Sequence, residues 1–434
     1  MTSKSNIRLM PSCTLRDEPS DTVRSRKMHH QHKVVHLTSV HTAFDVRVFH
    51  KECKSLARSG KHVVLIAPHP GDEVVDSVEV RGLEIRGGRL VRMTCTAWSL
   101  YREALRQDGD VYHFHDPELV PLGLLLAARG KRVVYDIHED APADILHKDY
   151  IPRRLRRPLM WFMRKLEDAA CRRFSGLIAA TPTIAERFYS INANTVVVHN
   201  FPVLDEIAPN VALPWNERPP AVAYIGSISA RRGVREILQA LALLPSASPA
   251  QMMLAGLFSP HGLLTELERV PGWARVQYRG VLDRPSVRSL LSRVRLGLLV
   301  LQPEPNFVNA RPIKLFEYMA AGIPVIASDF PLWRRIIGEA GCGLLVDPQD
   351  PQAIARAMEY LLSHDAEAEA MGRRGRKAVC ELYNWNSEER VLLKFYSELL
   401  QTDGPGRKES EQMSRVANPQ RQYQGQVPGG APYS

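Results

Sequence analysis

The chain has 434 residues, 44% hydrophobic and 24% charged, the balance of a soluble globular protein with room for two cores. No apolar run is long enough to cross a bilayer, no signal pattern opens residues 1–32, and six scattered cysteines without a CxxC pair argue against disulfides or a cysteine zinc site. These features predict a cytoplasmic protein, and its formal charge of +10 predicts an anionic partner: nucleic acid, anionic lipid or a phosphate-bearing substrate.

Residues 1–32 lack periodicity and read as a flexible extension. A buried strand is predicted at 34–38, then an amphipathic helix over 46–59 that Gly60 closes. Asp45 is placed to cap that helix, with Arg47 in its first turn. Strands follow at 62–67, 111–114, 132–136 and 177–180. At the end of the strand at 111–114 stand His113, His115, Asp116 and Glu118, a dense polar cluster without an evident further ligand set, so no metal is expected. His138 follows the strand at 132–136, in YDIHED. The segment APHPGDE at 67–73 resembles a deacetylase zinc element, but Gly71 replaces its first acid, so that reading is set aside.

Residues 150–174 hold eight Arg or Lys against Glu167 and Asp168. From Pro158 a helix can carry Leu159, Phe162, Met163 and Leu166 on one side. This stripe either packs on the first domain or, with Trp161 and the basic residues, fits an anionic membrane surface. Nucleic acid is not expected, because aromatic residues do not interleave the basic run.

Five prolines between 199 and 220 break the alternation, which places a linker at 201–219 between domains at 33–200 and 220–402. Strands resume at 222–225, 252–255, 276–278, 296–301 and 324–327, with helices at 234–244 and 312–321. Strands alternating with helices give an α/β fold of two doubly wound, Rossmann-like domains, with ligands at the strand carboxyl ends. Residues 403–434 are rich in Gly, Pro, Gln and Ser and read as a disordered tail. The last helix before them is able to cross back to the first domain.

Two loops then carry the chemistry. In YIGSISARRG (224–233), Gly226 lets the chain turn after a strand, and Arg231 or Arg232 stands ready to grip a phosphate. In NARPIKLFEYMAAGIPVIAS (309–328), Pro312 is expected as the first helical residue. The helix start and Lys314 suit a diphosphate, and Glu317 suits a ribose diol. Taken singly, each of these charges is equally compatible with a solvated loop or an i,i+3 pair.

Together these segments closely resemble the GT-B glycosyltransferases of the family-4 type, over roughly residues 33–400. LTSVHTAFDVRVFHKECKSLARSGKHVVLIAP, HFHDPELVPLG and VYDIHED add to the resemblance. It implies the GT-B fold, a nucleotide-diphosphate sugar as donor, a glycan or lipid-linked acceptor, retention of configuration and no metal or other cofactor. Gly226 and Arg232 match the phosphate loop, Glu317 the second acid of the Glu-x7-Glu element, and His138 the histidine beside the donor sugar. Asp45, His115 and Asp116 are then expected on the acceptor side. Two positions depart from the pattern: Asn309 stands where the first acid belongs and Ser227 where an Arg is usual. Lys314 is expected to supply the missing charge. The resemblance implies a role in surface polysaccharide synthesis. A GT-B epimerase and a non-catalytic nucleotide-sugar-binding protein are the alternatives.

Overall fold

The computed structural model describes residues 31–84, 92–147, 151–207, 213–260 and 262–401. The expected flexible extension and tail therefore lie almost entirely outside the described residues. No helix among those described is long and apolar enough to cross a membrane.

Eight strands form the first sheet: β1 (Lys33–Leu37), β2 (His62–Pro68), β3 (Glu73–Val75), β4 (Val78–Leu83), β5 (Val111–Phe114), β6 (Arg132–Ile137), β7 (Gly176–Ala179) and β8 (Thr195–Val197). Their order is β3-β4-β2-β1-β5-β6-β7-β8, all parallel except β3 against β4. That short hairpin is an addition to the expected pattern. It turns on Asp76 and Ser77, both at positive φ, and neither announces a turn as Asn-Gly would.

The second sheet comprises β9 (Ala221–Ile225), β10 (Gln251–Ala255), β11 (Val276–Tyr278), β12 (Leu296–Leu299), β13 (Val325–Ser328) and β14 (Gly343–Val346). It is wholly parallel, in the order β11-β10-β9-β12-β13-β14. In both sheets the winding reverses beside the first strand, between β1 and β5 and between β9 and β12. Crevices at such reversals are where doubly wound sheets bind ligands.

Alternation divides the first sheet's residues cleanly. Val35, Leu37, Tyr112, Phe114 and Tyr135 join one apolar cluster, while Val34, Val111 and Val134 join the other. The second cluster is completed by two helices. Helix α1 begins with wide turns over Val46–Cys53, where His50 N–H reaches the carbonyl of Asp45, and continues as Lys54–Arg58. Helix α6 (Trp385–Gln401) comes from the end of the chain and buries Trp385, Leu392, Phe395, Tyr396 and Leu399 against the first domain. The Trp385 indole N–H donates to Ser55 Oγ at 2.9 Å.

Helix α2 spans Arg153–Cys171, five residues earlier than the expected start at Pro158, which sits in its second turn, where few intrahelical bonds are lost. Only Glu167, Ala170 and Cys171 of this helix are buried. In the second domain, α3 is Val234–Leu243, α4 is Arg284–Leu291 and α5 is Ile313–Ala320. Pro312 is the residue before α5 rather than its first residue; its extended ψ of 129° leaves the helix to begin at Ile313. Helix α5 sinks Leu315, Phe316, Tyr318 and Met319 into the core, and the Tyr318 ring lies against Gly297 of β12.

Candidate active site

Gly226 follows β9 with a φ of +107°, a conformation that L side chains rarely adopt. Lys314, in the first turn of α5, lies directly over it: a Cβ built on Gly226 would sit 2.6 Å from Lys314 Nζ. The ammonium also lies 5.1 Å from the centre of the Tyr224 ring, a cation–π arrangement. Burial pushes Lys314 down to about 7, the nearby Arg232 guanidinium adds to that, and Glu317 opposes it. Two cations held together in this way are prepared for an anion.

Arg231 and Arg232 separate in role. Both guanidinia lie over the face of Phe307, 5.8 and 5.5 Å from its centre, but that of Arg231 is ion-paired with Glu304, whereas that of Arg232 is within electrostatic reach of Lys314. Ser227 is exposed, and its carbonyl accepts from the Tyr224 hydroxyl at 3.1 Å. The loop from 302 to 312 is pinned at both ends. Gln302 N–H reaches the Arg231 carbonyl at 3.0 Å, and the Trp333 indole donates to the Ala310 carbonyl at 2.8 Å. Asn309 is exposed at the end of the short turn Pro305–Val308.

Glu317 is nearly buried and accepts from Arg284 Nη1 at 2.7 Å. Arg284 opens α4, and its Nε lies 3.6 Å from Glu206. Lys51 of α1, completely buried, donates to Asn200 Oδ1 at 2.5 Å. Burial lowers Lys51 to about 7, with Glu317 as the leading opposing charge. Lys51, Arg284 and Glu206 thus link α1, the interdomain segment and Glu317, a set that sequence spacing did not reveal. Asn306 also donates to Asp144, so loops that follow β12 and β6 touch.

The first domain contributes a buried polar network at its own reversal point. Asp136, near the end of β6, accepts from Arg47 Nε at 2.8 Å and Nη2 at 2.6 Å, and from His115 Nδ1 at 3.1 Å; His138 Nε2 lies 2.6 Å away. Burial alone would raise Asp136, but the Arg47 charge holds it well below the usual carboxylate range. Of this group His138 is partly open, with 21% of its side chain exposed.

His115 and Asp116, expected on the acceptor side, are buried and occupied within the protein. His115 Nε2 lies 3.0 Å from His36 Nδ1. Asp116 accepts from Ser39 N–H at 2.6 Å and Thr38 Oγ1 at 2.8 Å, and so shapes the loop after β1. Asp45 caps α1 by accepting from the N–H groups of Arg47 and Val48. Burial works to raise Asp45, yet it lies well below the usual range because His41 and these N–H groups stabilise its charge. In the 67–73 segment, His69 pairs with Glu73 and Asp72 with Arg81.

Comparison with known proteins agrees with this geometry. Residues 209–378 match the family of glycosyl transferases group 1, and residues 46–202 match the glycosyl transferase 4-like domain. A D-inositol 3-phosphate glycosyltransferase from Corynebacterium urealyticum is 29% identical over 42% of this chain and 45% of its own length. An MMP alpha-(1->4)-mannosyltransferase from Mycolicibacterium hassiacum is 22% identical over 67% of this chain and 72% of its own. The structure of sucrose-phosphate synthase from Thermosynechococcus elongatus superimposes with a TM-score of 0.69 at 19% identity, covering 85% of this chain and 99% of that one. Two wound sheets, each with its polar loops at the reversal of strand order, and two consecutive sequence matches converge: the chain belongs to the glycosyl transferases group 1, enzymes of the EC 2.4 class, and has their GT-B fold.

Proposed function

We propose that the protein moves a sugar from a nucleotide-diphosphate donor to a glycan or lipid-linked acceptor, with retention of configuration and without a catalytic metal, in surface polysaccharide synthesis. The observation that carries this reading is the Lys314 ammonium packed over Gly226, with Arg232 within electrostatic reach of it, at the reversal of the second sheet. A departing diphosphate gathers negative charge. The two cations and the N–H groups at the start of α5 meet that charge, each cation contributing about 3 kcal/mol in a desolvated cleft. Lys314 thereby replaces the arginine that Ser227 lacks. Glu317 takes the ribose diol, His138 sits beside the donor sugar, and Asn309 replaces an acid that would face that sugar. The leaving phosphate accepts the acceptor's proton, so no side-chain base is needed.

The membrane part of the proposal rests on α2. Leu155, Leu159, Phe162 and Leu166 recur at intervals of four, three and four, and all are exposed, with Trp161 61% and Phe162 57% open. Together with Arg153, Arg154, Arg157, Arg164 and Lys165 they form an apolar stripe with basic flanks, suited to the cytoplasmic face of an anionic bilayer. The exposure of the stripe favours this over the alternative of packing on the first domain; the helix turns Glu167, Ala170 and Cys171 inward.

A thermal-shift screen of nucleotide sugars, followed by nucleotide diphosphate release with the best binder, tests the reading. Lys314→Ala and Arg232→Ala should each cut turnover about 100-fold, the rate equivalent of about 3 kcal/mol. Unchanged turnover in either variant removes that cation from the scheme.

A further inference from the structure

The parallel register of β1 and β5 sets His36 opposite His113, and the two-residue period of a strand puts His115 on the same face. Helix α1 covers that face and brings in Glu52. All four side chains are buried, and one ligand-type atom from each lies within 4.8 Å of those from the other three. His36 Nδ1 and His115 Nε2 are 3.0 Å apart, and His113 Nδ1 and Glu52 Oε2 are 3.8 Å apart. A tetrahedral ion with bonds of about 2.0–2.1 Å needs ligand atoms about 3.3 Å apart, which these separations bracket.

Polar satisfaction points the same way. Both carboxylate oxygens of Glu52, the carboxylate of the proposed ligand set, have no hydrogen-bond partner. Glu52 Oε1 lies 3.1 Å from Arg47 Nε, but that N–H is directed at Asp136. Orphan atoms in a core are costly and call for an explanation. The adjoining group of His115, Asp136 and His138 is less suited, because Arg47 already holds the Asp136 carboxylate twice.

We propose that His36, Glu52, His113 and His115 bind one zinc ion. Three imidazoles and a carboxylate are nitrogen and oxygen donors that zinc accepts, and four of them fill its tetrahedral shell. The ion ties β1, α1 and β5 together behind the acceptor-side loops and takes no part in bond making. It replaces the Tyr396 hydroxyl, 2.8 Å from His113 Nδ1, as partner of that nitrogen. The site is shut off from solvent, so the ion enters during folding. This proposal stands apart from the donor reading, and its test involves no turnover.

The full chain, unfolded with a chelator and refolded with cobalt(II) as the probe, should show the strong visible absorption of a four-coordinate ion at one equivalent. Zinc should bleach it and raise the melting temperature. Glu52→Gln and His113→Asn should lose both effects, while His138→Asn should keep them. Absence of the cobalt bands and of any zinc-dependent stabilisation in the wild-type chain overturns the proposal, whether or not the variants fold. Loss of binding in His138→Asn with retention in His113→Asn overturns it too, since the ion would then belong to the adjoining group.

Discussion

The Lys314 ammonium occupies the space that a side chain at Gly226 would need, with 2.6 Å between Nζ and the position of the missing Cβ. One residue's lack of a side chain is thus what admits the other's charge. Gly226→Ala meets two obstacles, a φ of +107° and the lysine itself. The expected cost is about 1–3 kcal/mol of stability from the backbone alone. The donor KM should rise as well, because Lys314 must move aside. Urea unfolding and donor kinetics read the two effects separately; normal values for both would show that the lysine is not fixed there.

Donor binding should depend on pH in a definite direction. Lys314 titrates near 7 in the free protein, so it is increasingly neutral above that pH. A diphosphate favours the charged form, and binding above pH 7 therefore takes up a proton. Affinity should fall as pH rises from 7 to 9, approaching tenfold per unit for a single coupled proton. Calorimetry in buffers of different ionisation enthalpy measures the uptake directly. Lys314→Met should abolish this pH dependence, and persistence of the slope in that variant would assign it elsewhere.

Arg47 and Asp136 are expected to matter for stability before chemistry. Arg47 gives two bonds to Asp136 and one, at 2.9 Å, to the carbonyl of Val198. Arg47→Met leaves a buried carboxylate without its main counter-charge, at a cost of about 3–5 kcal/mol. Chemical denaturation checks this. The double change Arg47→Met with Asp136→Asn should recover part of the loss, and no recovery would mean that the pair is not the origin of the cost.

The exposed stripe on α2 should govern lipid binding. Leu159→Asp with Phe162→Asp puts two charges on a face with few internal contacts, so the fold should tolerate the change within about 0.5 kcal/mol. Co-sedimentation with vesicles containing an anionic lipid should drop to the level seen with neutral vesicles. Equal sedimentation of the wild-type chain with both kinds of vesicle removes the electrostatic part of the idea.

The two loops proposed to hold the donor were legible as loops in the sequence because glycine, proline and charge stand at fixed offsets from buried strands. Strand positions were legible for the same reason: runs such as those of β1, β2 and β12 are apolar and short. What stayed hidden depends on register and on long-range approach. Nothing local to Glu52 announces that it meets His36 and His113, since β1 and β5 must first pair and α1 must then fold over them. The pairing of Arg284 with Glu317, and the burial of Lys51, likewise need three distant segments in place. Pro312 was misplaced by one residue because φ alone, which proline sets, does not decide whether a helix has begun; ψ does.

Helix α6 carries a consequence for how the molecule is made. Its Trp385, Leu392, Phe395, Tyr396 and Leu399 complete a core whose other buried members lie between Val34 and Val198. On the ribosome, the first half of the chain would have to wait, its hydrophobic surface uncovered, until α6 is synthesised. Cutting the gene between the sheets would therefore yield one fragment that lacks its lid and another that carries a greasy helix with nowhere to dock.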